Sequence, residues 1–177
     1  MEQLPSSQPS GWLVQHSQYI KPGGSVLDLA SGAGRNAVWL SEQGFKVAAV
    51  DRDVSALQEL GLKAPTVDTL VADLEQGAWP YAGSQFDAIV VCRYLHRPLL
   101  PVLATGLTNG GVLIYETFMQ GHEHYGRPTN KNFLLKSNEL LNIFKPLLKI
   151  ISYEEGLLQL PPHPAILQRI VGLKITA

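Results

Sequence analysis

Two aspartates flank a glycine-containing turn in the stretch 25–51, which reads SVLDLASGAGRNAVWLSEQGFKVAAVD. Glycines such as Gly32 and Gly34 let the backbone approach a ligand where a Cβ atom would collide. The N–H groups that open the helix after the turn can face negative charge, and Asp51 can accept hydrogen bonds from both hydroxyls of a ribose. These residue types at this spacing predict a binding site for a nucleoside cofactor.

The turn has to be positioned by the elements on either side of it. An apolar run at residues 26–29 predicts a strand before the turn, and a helix-like pattern covers residues 35–43 and stops at Gly44. A second apolar run at residues 47–50 predicts the next strand. The order strand, glycine turn, helix, strand and acid is typical of a nucleotide-binding unit.

Two classes of cofactor fit this layout. Gly32, Gly34 and Ala37 satisfy the G-x-G-x-x-G/A fingerprint of dinucleotide sites, and Asp51 lies near the expected offset of about 20 residues. Asp28 argues against a dinucleotide, because a carboxylate at the end of the first strand would repel a pyrophosphate on the turn. S-adenosylmethionine has no phosphate, and its methionyl ammonium and sulfonium favour an acid at this position.

At these residues the sequence resembles the class I S-adenosylmethionine-dependent methyltransferases, whose first motif reads acid-x-G-x-G-x-G. Residues 28–34 read DLASGAG, so that Ala30 stands in place of the first glycine. The following Arg35 and Asn36 are similar to the branch that includes the tellurite-resistance methyltransferases. The resemblance covers nearly the whole chain and is stronger in the first motif than at the C-terminal end.

The resemblance implies an α/β fold, a doubly wound three-layer sandwich with a mostly parallel seven-stranded sheet and an antiparallel last strand. It also implies S-adenosyl-L-methionine as the cofactor and methyl transfer by in-line displacement to a small-molecule acceptor. Asp51 is expected to hold the ribose, Asp28 to lie near the methionyl ammonium, and Asp73 and Leu74 to contact the adenine. The expected cofactor-binding residues are Asp28, Ala30, Ser31, Gly32, Gly34, Asn36, Asp51, Arg52, Asp73, Leu74 and Cys92.

The other predicted elements agree with such a sheet, because most of the strand runs are continuously apolar, as in a parallel sheet covered on both faces. Further strands are predicted at residues 67–72, 86–91, 112–115, 148–154 and 166–175. Helices are predicted at residues 10–20, from an Asp53 cap to Gly61, from Pro98 to Leu107, and from a Ser137 cap to Phe144.

The acceptor side is expected after the fourth and fifth strands, because ligands of doubly wound sheets bind at the carboxyl ends of the strands. The long stretch 116–136 is predicted to form a lid over this edge. His122 and His124 lie two residues apart, without the helical spacing of a zinc motif, and no metal site is predicted. The candidate catalytic or acceptor-contacting residues are Arg93, His96, Glu116, Tyr125 and Arg127.

The composition limits the classes of partner. The 177 residues predict a single domain, with residues 1–9 expected to be flexible. Lys and Arg number 14 against 15 Asp and Glu, which gives no electrostatic reason to expect nucleic acid or an anionic membrane surface. The single cysteine and the polar N-terminus, with no run of about 20 apolar residues, predict a cytoplasmic protein. A monomer or a homodimer is expected.

Two alternative functions remain open from the sequence. An NAD-linked oxidoreductase is supported by the dinucleotide fingerprint and opposed by Asp28. A non-catalytic nucleoside-binding scaffold would share the fold and show lost or weak cofactor affinity. The need for a general base also stays open: a thiolate or a metalloid oxyanion would need none, whereas a hydroxyl or an ammonium could use Glu116, His96 or Tyr115.

Overall fold

The computed structural model describes residues 7–160 and 162–176. Within them, seven strands form one sheet in the order β3-β2-β1-β4-β5-β7-β6. Neighbouring strands among β1 to β5 pair in parallel, and β7 runs antiparallel to both β5 and β6. The strands are β1 Ser25–Leu29, β2 Lys46–Asp51, β3 Asp68–Val71, β4 Phe86–Cys92, β5 Leu107–Phe118, β6 Lys149–Leu158 and β7 Ala165–Leu173. The predicted fold class is confirmed.

Helices cover both faces of this sheet. In chain order they are α1 Gly11–His16, α2 Arg35–Glu42, α3 Val54–Lys63, α4 Leu100–Thr105 and α5 Glu139–Phe144. Short 3-10 turns lie at Ser17–Tyr19, Arg97–Leu99, His122–His124 and Lys131–Phe133. Residues 1–6 lie outside the described residues, and the predicted flexibility of residues 1–9 stays a prediction.

The core consists of two apolar layers, because successive strand residues point to opposite faces of the sheet. Val26 lies in the layer formed with α1, α2 and α3, whereas Leu27 lies in the layer formed with α4 and α5. Both residues are fully buried. Double coverage explains why the strand runs are continuously apolar.

Two predicted boundaries on the helical side are wrong. Gly61 does not end α3, which continues to Lys63, since Gly61 does not have the positive φ of a helix-ending glycine. Ser137 does not cap α5, because its Oγ donates to Glu155 Oε1 at 2.6 Å. Asn138 takes the N-cap position instead, with a φ of 59° and no side-chain cap.

β5 is much longer than its apolar run predicts. The predicted α4 would reach Leu107, but Leu107 already starts the strand, which continues through residues 109–111, although their Asn-Gly-Gly sequence favours a turn. Gly110 N–H donates to the Lys174 carbonyl at 2.7 Å, and Lys174 N–H donates to the Gly111 carbonyl at 2.8 Å. Pairing with the C-terminal segment therefore overrides the local turn propensity of the glycines.

Candidate active site

The glycine turn lies at the carboxyl end of β1 and is held by the neighbouring strand. Ser31 N–H donates to the Val50 carbonyl at 3.1 Å, and Gly34 N–H closes the turn on the Ser31 carbonyl at 2.9 Å. Ala30, Gly32 and Gly34 all have positive φ, at 54°, 54° and 78°. Ala30 thus adopts a left-handed conformation that glycine adopts without strain, in the position where the family motif has glycine.

Gly32 and Gly34 serve different purposes in this turn. A Cβ atom on Gly34 would collide with the side chain of Leu60 in α3, so this glycine is required by packing. A Cβ atom on Gly32 would meet no heavy atom within 4 Å. The free space at Gly32 is therefore where a ligand can approach the backbone.

Asp51, at the end of β2, turns its carboxylate toward this loop. Gly32 N–H donates to Oδ2 at 2.7 Å, and Asp53 N–H donates to Oδ1 at 2.9 Å. A carboxylate has about four acceptor positions, so both oxygens can accept further hydrogen bonds. Asp51 is half-buried and can hold a diol at the mouth of the turn.

Asp28 is the most deeply buried acid at this edge, at 1% exposed. Its Oδ2 has no hydrogen-bond partner among the described residues. Burial raises the pKa of Asp28 to about 7, although a hydrogen bond from the Ala37 backbone and the charge of Arg35 lower it. A buried carboxylate oxygen without a partner fits a ligand that supplies an ammonium, so these residues fit S-adenosylmethionine.

The other predicted cofactor residues make contacts of their own within the protein. Asp73 Oδ1 accepts from Glu75 N–H at 2.9 Å, Leu74 packs into the core at 9% exposed, and Arg52 is exposed. Asn36 Oδ1 accepts from Ser10 N–H at 2.9 Å. Asn36 therefore anchors the segment before α1 next to the turn.

The segment after β4 presents three candidate groups. Burial raises the pKa of the Cys92 thiol, which keeps this thiol protonated. Arg93 has a φ of 56°, which is uncommon for a residue with a side chain. The Tyr94 hydroxyl is buried without a partner among the described residues. Burial, followed by the charges of Glu75 and Asp73, raises the pKa of Tyr94 to about 12.

Glu116, a predicted catalytic candidate, is committed to structural contacts instead. Its Oε1 accepts a short hydrogen bond from Ser10 Oγ, and its Oε2 lies 3.0 Å from Arg169 Nε in an ion pair. Arg169 also pairs with Glu154 at 3.0 Å, and its guanidinium lies 5.4 Å from the centre of the Trp12 ring. The prediction that Glu116 acts as a base is therefore opposed by its contacts.

A cleft of about 200 Å³ opens between the ends of β4 and β5. Of the five candidate acceptor residues, only Arg93 lines it. The walls near the lid come from Pro128 and Phe133 rather than from Tyr125 and Arg127, and His96 is not part of the lining. The lining residues are Glu75, Arg93, Tyr94, Leu95, Thr117, Phe118, Pro128 and Phe133.

The predicted lid is shorter and better anchored than the stretch 116–136. β5 includes its first three residues, and Leu134 and Leu135 are fully buried. Arg97 donates to the Asn132 carbonyl at 2.7 Å and to the Leu134 carbonyl at 3.0 Å. Arg97 also forms an ion pair with Glu139 at 2.6 Å. The lid is thus tied to α5 near its C-terminal end.

His122 uses both ring nitrogens inside the lid. Its Nε2 lies 3.1 Å from the Arg127 carbonyl, and its Nδ1 lies 3.3 Å from the Ile166 N–H, so Nε2 donates and Nδ1 accepts. Burial lowers the pKa of His122, and its ring stacks on Phe118 at 4.2 Å. In residues 7–160 and 162–176, no group of three or more His, Cys, Asp or Glu side chains could hold a metal ion.

Four residues that build this edge carry little signal in the sequence. Ser10 and Arg169 lie 106 and 53 positions from Glu116, and Arg97 lies 42 positions from its partner Glu139. Tyr94 follows the fourth predicted strand, and this position at a strand end is the one feature of the sequence that places it near the site. Nothing local distinguishes the other three from surface residues.

Residues 26–109 match the sequence profile of the family described as a methyltransferase domain. No curated protein matches the chain significantly. Within the described part of the chain, no helix is long and apolar enough to cross a membrane.

Several solved structures share the fold. TehB from Haemophilus influenzae superposes with a TM-score of 0.75 at 21% identity, over 93% of this chain and 62% of that protein. This chain thus spans less than two thirds of the length of that TehB. A TehB-like SAM-dependent methyltransferase from Corynebacterium glutamicum gives 0.67 at 19% identity, over 93% and 87% of the two chains.

A third similar structure is coclaurine N-methyltransferase bound to N-methylheliamine and SAH, with a TM-score of 0.62 at 18% identity. The match covers 81% of this chain and 49% of that protein. Identities this low establish the fold alone, and the profile match adds a likeness to methyltransferase domains over residues 26–109, less than half of the chain. The chain therefore has the fold of S-adenosylmethionine-dependent methyltransferases, with TehB-like proteins among its structural neighbours, and its residues 26–109 are similar to a methyltransferase domain.

Proposed function

We propose that the protein transfers a methyl group from S-adenosylmethionine to a small-molecule acceptor by in-line displacement. The observation that carries this proposal is the unpartnered, buried Oδ2 of Asp28 beside a glycine turn that Asp51 holds in place. The two acids suit opposite parts of one cofactor, an ammonium and a ribose diol.

The proposed roles follow from where each group lies. Asp28 holds the methionyl ammonium, Asp51 accepts from the ribose hydroxyls, and Gly32 leaves space for the cofactor against the backbone. Asp73 and Leu74 are proposed to contact the adenine. The other residues proposed to line the cofactor site are Ala30, Ser31, Gly34, Asn36, Arg52 and Cys92.

S-adenosylmethionine supplies an electrophilic methyl group on its sulfonium when it is bound. The residues of this chain then act mainly by alignment and by exclusion of water, which can account for a large rate acceleration. Arg93 and the walls of the cleft position the acceptor beside the strand ends. Tyr115 is an unsuitable base, because burial raises its pKa and its hydroxyl donates to the Tyr94 carbonyl at 2.7 Å.

The acceptor is therefore proposed to react without a protein base or to lose its proton to His96 or to water. Tyr125 and Arg127 remain proposed contacts for an acceptor that extends beyond the cleft toward the exposed part of the lid. The cytoplasm is proposed as the site of action, and a monomer or a homodimer as the active form.

Calorimetric titration with S-adenosylhomocysteine, S-adenosylmethionine and NAD tests the cofactor assignment. We expect micromolar binding of S-adenosylhomocysteine, about −8 kcal/mol, and no binding of NAD, because Asp28 would repel the pyrophosphate. Binding of NAD alone would favour the oxidoreductase alternative. Binding of none of the three would favour a non-catalytic scaffold.

Asp51→Asn tests the ribose contact. This variant keeps one carbonyl oxygen for the Gly32 N–H and removes the charge. Hydrogen bonds to a charged acceptor are worth roughly 1.5–3 kcal/mol, so S-adenosylhomocysteine should bind about 10-fold more weakly. Asp68→Asn on the exposed strand β3 is the matched control and should bind like the parent protein. Equal affinity in the two variants would show that Asp51 does not contact the cofactor.

A further inference from the structure

We propose that the cleft beside Arg93 binds a methyl acceptor that carries an anionic group on a small aromatic or apolar body. This inference rests on the proposed methyl transfer and adds the chemical class of the acceptor. It is carried by the contrast between the unpaired guanidinium of Arg93 and the apolar walls around it.

Arg93 is exposed, unlike Arg97 and Arg169, and it has no ion-pair partner among the described residues. Arg97 pairs with Glu139, and Arg169 pairs with Glu116 and Glu154. Among the described residues, no carboxylate lies within ion-pair distance of the Arg93 guanidinium, and no hydrogen bond satisfies it. A guanidinium presents five N–H donors that match carboxylate and phosphate groups.

The backbone fixes Arg93 in this position. Its N–H donates to the Glu116 carbonyl at 2.9 Å, and its φ of 56° turns the chain sharply at the end of β4. Strained backbone of this kind is concentrated at ligand-binding sites. The geometry therefore holds a cation at the mouth of the cleft without using it in the fold.

The charges nearby leave this cation available. Partial burial, followed by the positive charge of Arg35, lowers the pKa of Arg93. The negative charge of Glu116 opposes them, but its two oxygens already contact Ser10 and Arg169. Glu75 also lines the cleft, but it forms no ion pair with Arg93, and both residues are exposed.

The walls of the cleft supply an apolar surface. Phe118 is fixed by stacking on His122, and Leu95 is 6% exposed. Phe133 is 45% exposed and belongs to the turn whose neighbouring carbonyls are bonded by Arg97. A volume of about 200 Å³ lies below the range of roughly 300–1,000 Å³ that is typical of drug-sized ligands. A single ring with a short anionic arm is of suitable size.

Three probes with the same phenyl group and different charges test this inference. Phenylacetate is anionic, phenylacetamide is neutral and phenethylamine is cationic, and each is titrated by two-dimensional NMR against the full chain saturated with S-adenosylhomocysteine. We expect phenylacetate to bind at least 10-fold more tightly than phenylacetamide, and phenethylamine to bind most weakly. Equal binding of the three, or a preference for phenethylamine, would overturn the proposal.

Two variants and a control assign the effect to residues. Arg93→Asn removes the cation and introduces a residue that tolerates positive φ. This variant should bind phenylacetate and phenylacetamide with about equal affinity. Phe133→Ala should weaken phenylacetate and phenylacetamide equally. Lys46→Asn removes an exposed cation at the start of β2, away from the cleft, and it should leave the preference unchanged.

Affinity for S-adenosylhomocysteine separates this inference from the function on which it rests. If the parent protein fails to bind S-adenosylhomocysteine, the proposed function is wrong. If it binds and shows no preference for the anion, only the acceptor class is wrong. If Arg93→Asn loses S-adenosylhomocysteine rather than phenylacetate, Arg93 holds the carboxylate of the cofactor, and the inference is also overturned.

Discussion

The β1–β2 end of the sheet edge and the β4–β5 end differ in how their charged groups are held. At the first end, Asp51 accepts hydrogen bonds from Gly32 and Asp53, which are 19 and two positions away. One oxygen of Asp28 has no hydrogen-bond partner in the part of the chain that the structure describes. At the second end, Glu116 is bound by Ser10, 106 positions away, and by Arg169. We call the first the cofactor end and the second the acceptor end, after the ligands proposed to bind there. The contacts of Asp51 at the cofactor end are local, whereas those of Glu116 at the acceptor end are long-range.

This difference predicts opposite effects of removing a charge. At the acceptor end, neutralising one member leaves its partner buried and uncompensated. At the cofactor end, neutralising Asp28 removes a buried charge that the Ala37 backbone N–H and Arg35 compensate only in part. The former should destabilise the fold, and the latter should stabilise it while weakening the ligand.

The largest expected effect is on the acceptor end. Arg169→Met leaves Glu116, whose side chain is 8% exposed, without its cation, and should lower the free energy of unfolding by about 3–5 kcal/mol. The double variant Glu116→Gln with Arg169→Met removes both charges and should recover most of this loss. Urea unfolding measures both, and equal losses in the single and double variants would contradict the assignment of a buried ion pair.

The converse prediction concerns Asp28→Asn. A folded-state pKa near 7 in place of 3.8 means that folding favours the protonated carboxyl, so the carboxyl destabilises the fold progressively as the pH rises from about 4 to 7. Above pH 7 the cost is about 4 kcal/mol. Asp28→Asn should therefore raise the free energy of unfolding at pH 8 by up to this amount and change little at pH 4. Denaturant unfolding at pH 4 and pH 8 measures this difference in the free energy of unfolding. If the parent protein and Asp28→Asn differ by the same amount at both pH values, the predicted effect of Asp28 is wrong.

The same carboxyl should make cofactor binding depend on pH. With a pKa of about 7 in the free protein, Asp28 is largely protonated at pH 6 and ionised at pH 8, so S-adenosylhomocysteine should bind about 10-fold more weakly at pH 6. Asp28→Asn should bind weakly at both values. A pH-independent affinity in the parent protein would show that the ammonium does not pair with Asp28.

The cofactor end could be predicted from the sequence because its contacts are local. The turn at 31–34 and the acids Asp28 and Asp51 lie within one unit of strand, helix and strand, and the structure places them at one edge. Local patterning also predicts the doubly wound sheet, since continuously apolar strand runs require coverage on both faces.

The acceptor end could not be predicted in the same way. Whether Glu116 is free depends on Arg169, and the position of the lid depends on Arg97 and Glu139. These pairs are separated widely in the chain, and a charged residue that will be paired looks the same in sequence as one that will face solvent. Similarly, the glycines at 110–111 indicate a turn until their pairing with Lys174 is known.

Within the cofactor end, Gly32 and Gly34 give a sharper comparison. Gly34→Val would collide with Leu60 and also has positive φ, so it should destabilise the fold by about 2–5 kcal/mol. Gly32→Val has space in the free protein and should lose only about 1–2 kcal/mol, but it should abolish binding of S-adenosylhomocysteine. Thermal unfolding and calorimetry measure the two effects. Retained binding in Gly32→Val would remove the turn from the cofactor site.

The smallest expected effect concerns Ala30, whose left-handed backbone conformation should strain the turn without affecting the ligand. Ala30 has a φ of 54°, which costs an L-residue about 1–2 kcal/mol. Glycine relieves this strain but gives the unfolded chain more freedom, worth about 0.4–1 kcal/mol. Ala30→Gly should therefore stabilise the protein by up to about 1 kcal/mol and leave the affinity for S-adenosylhomocysteine unchanged. Ala33→Gly is the matched control, because Ala33 is not among the positive-φ residues, and it should destabilise by a few tenths to 1 kcal/mol. If both variants lose stability equally, the left-handed conformation of Ala30 imposes no strain on the turn.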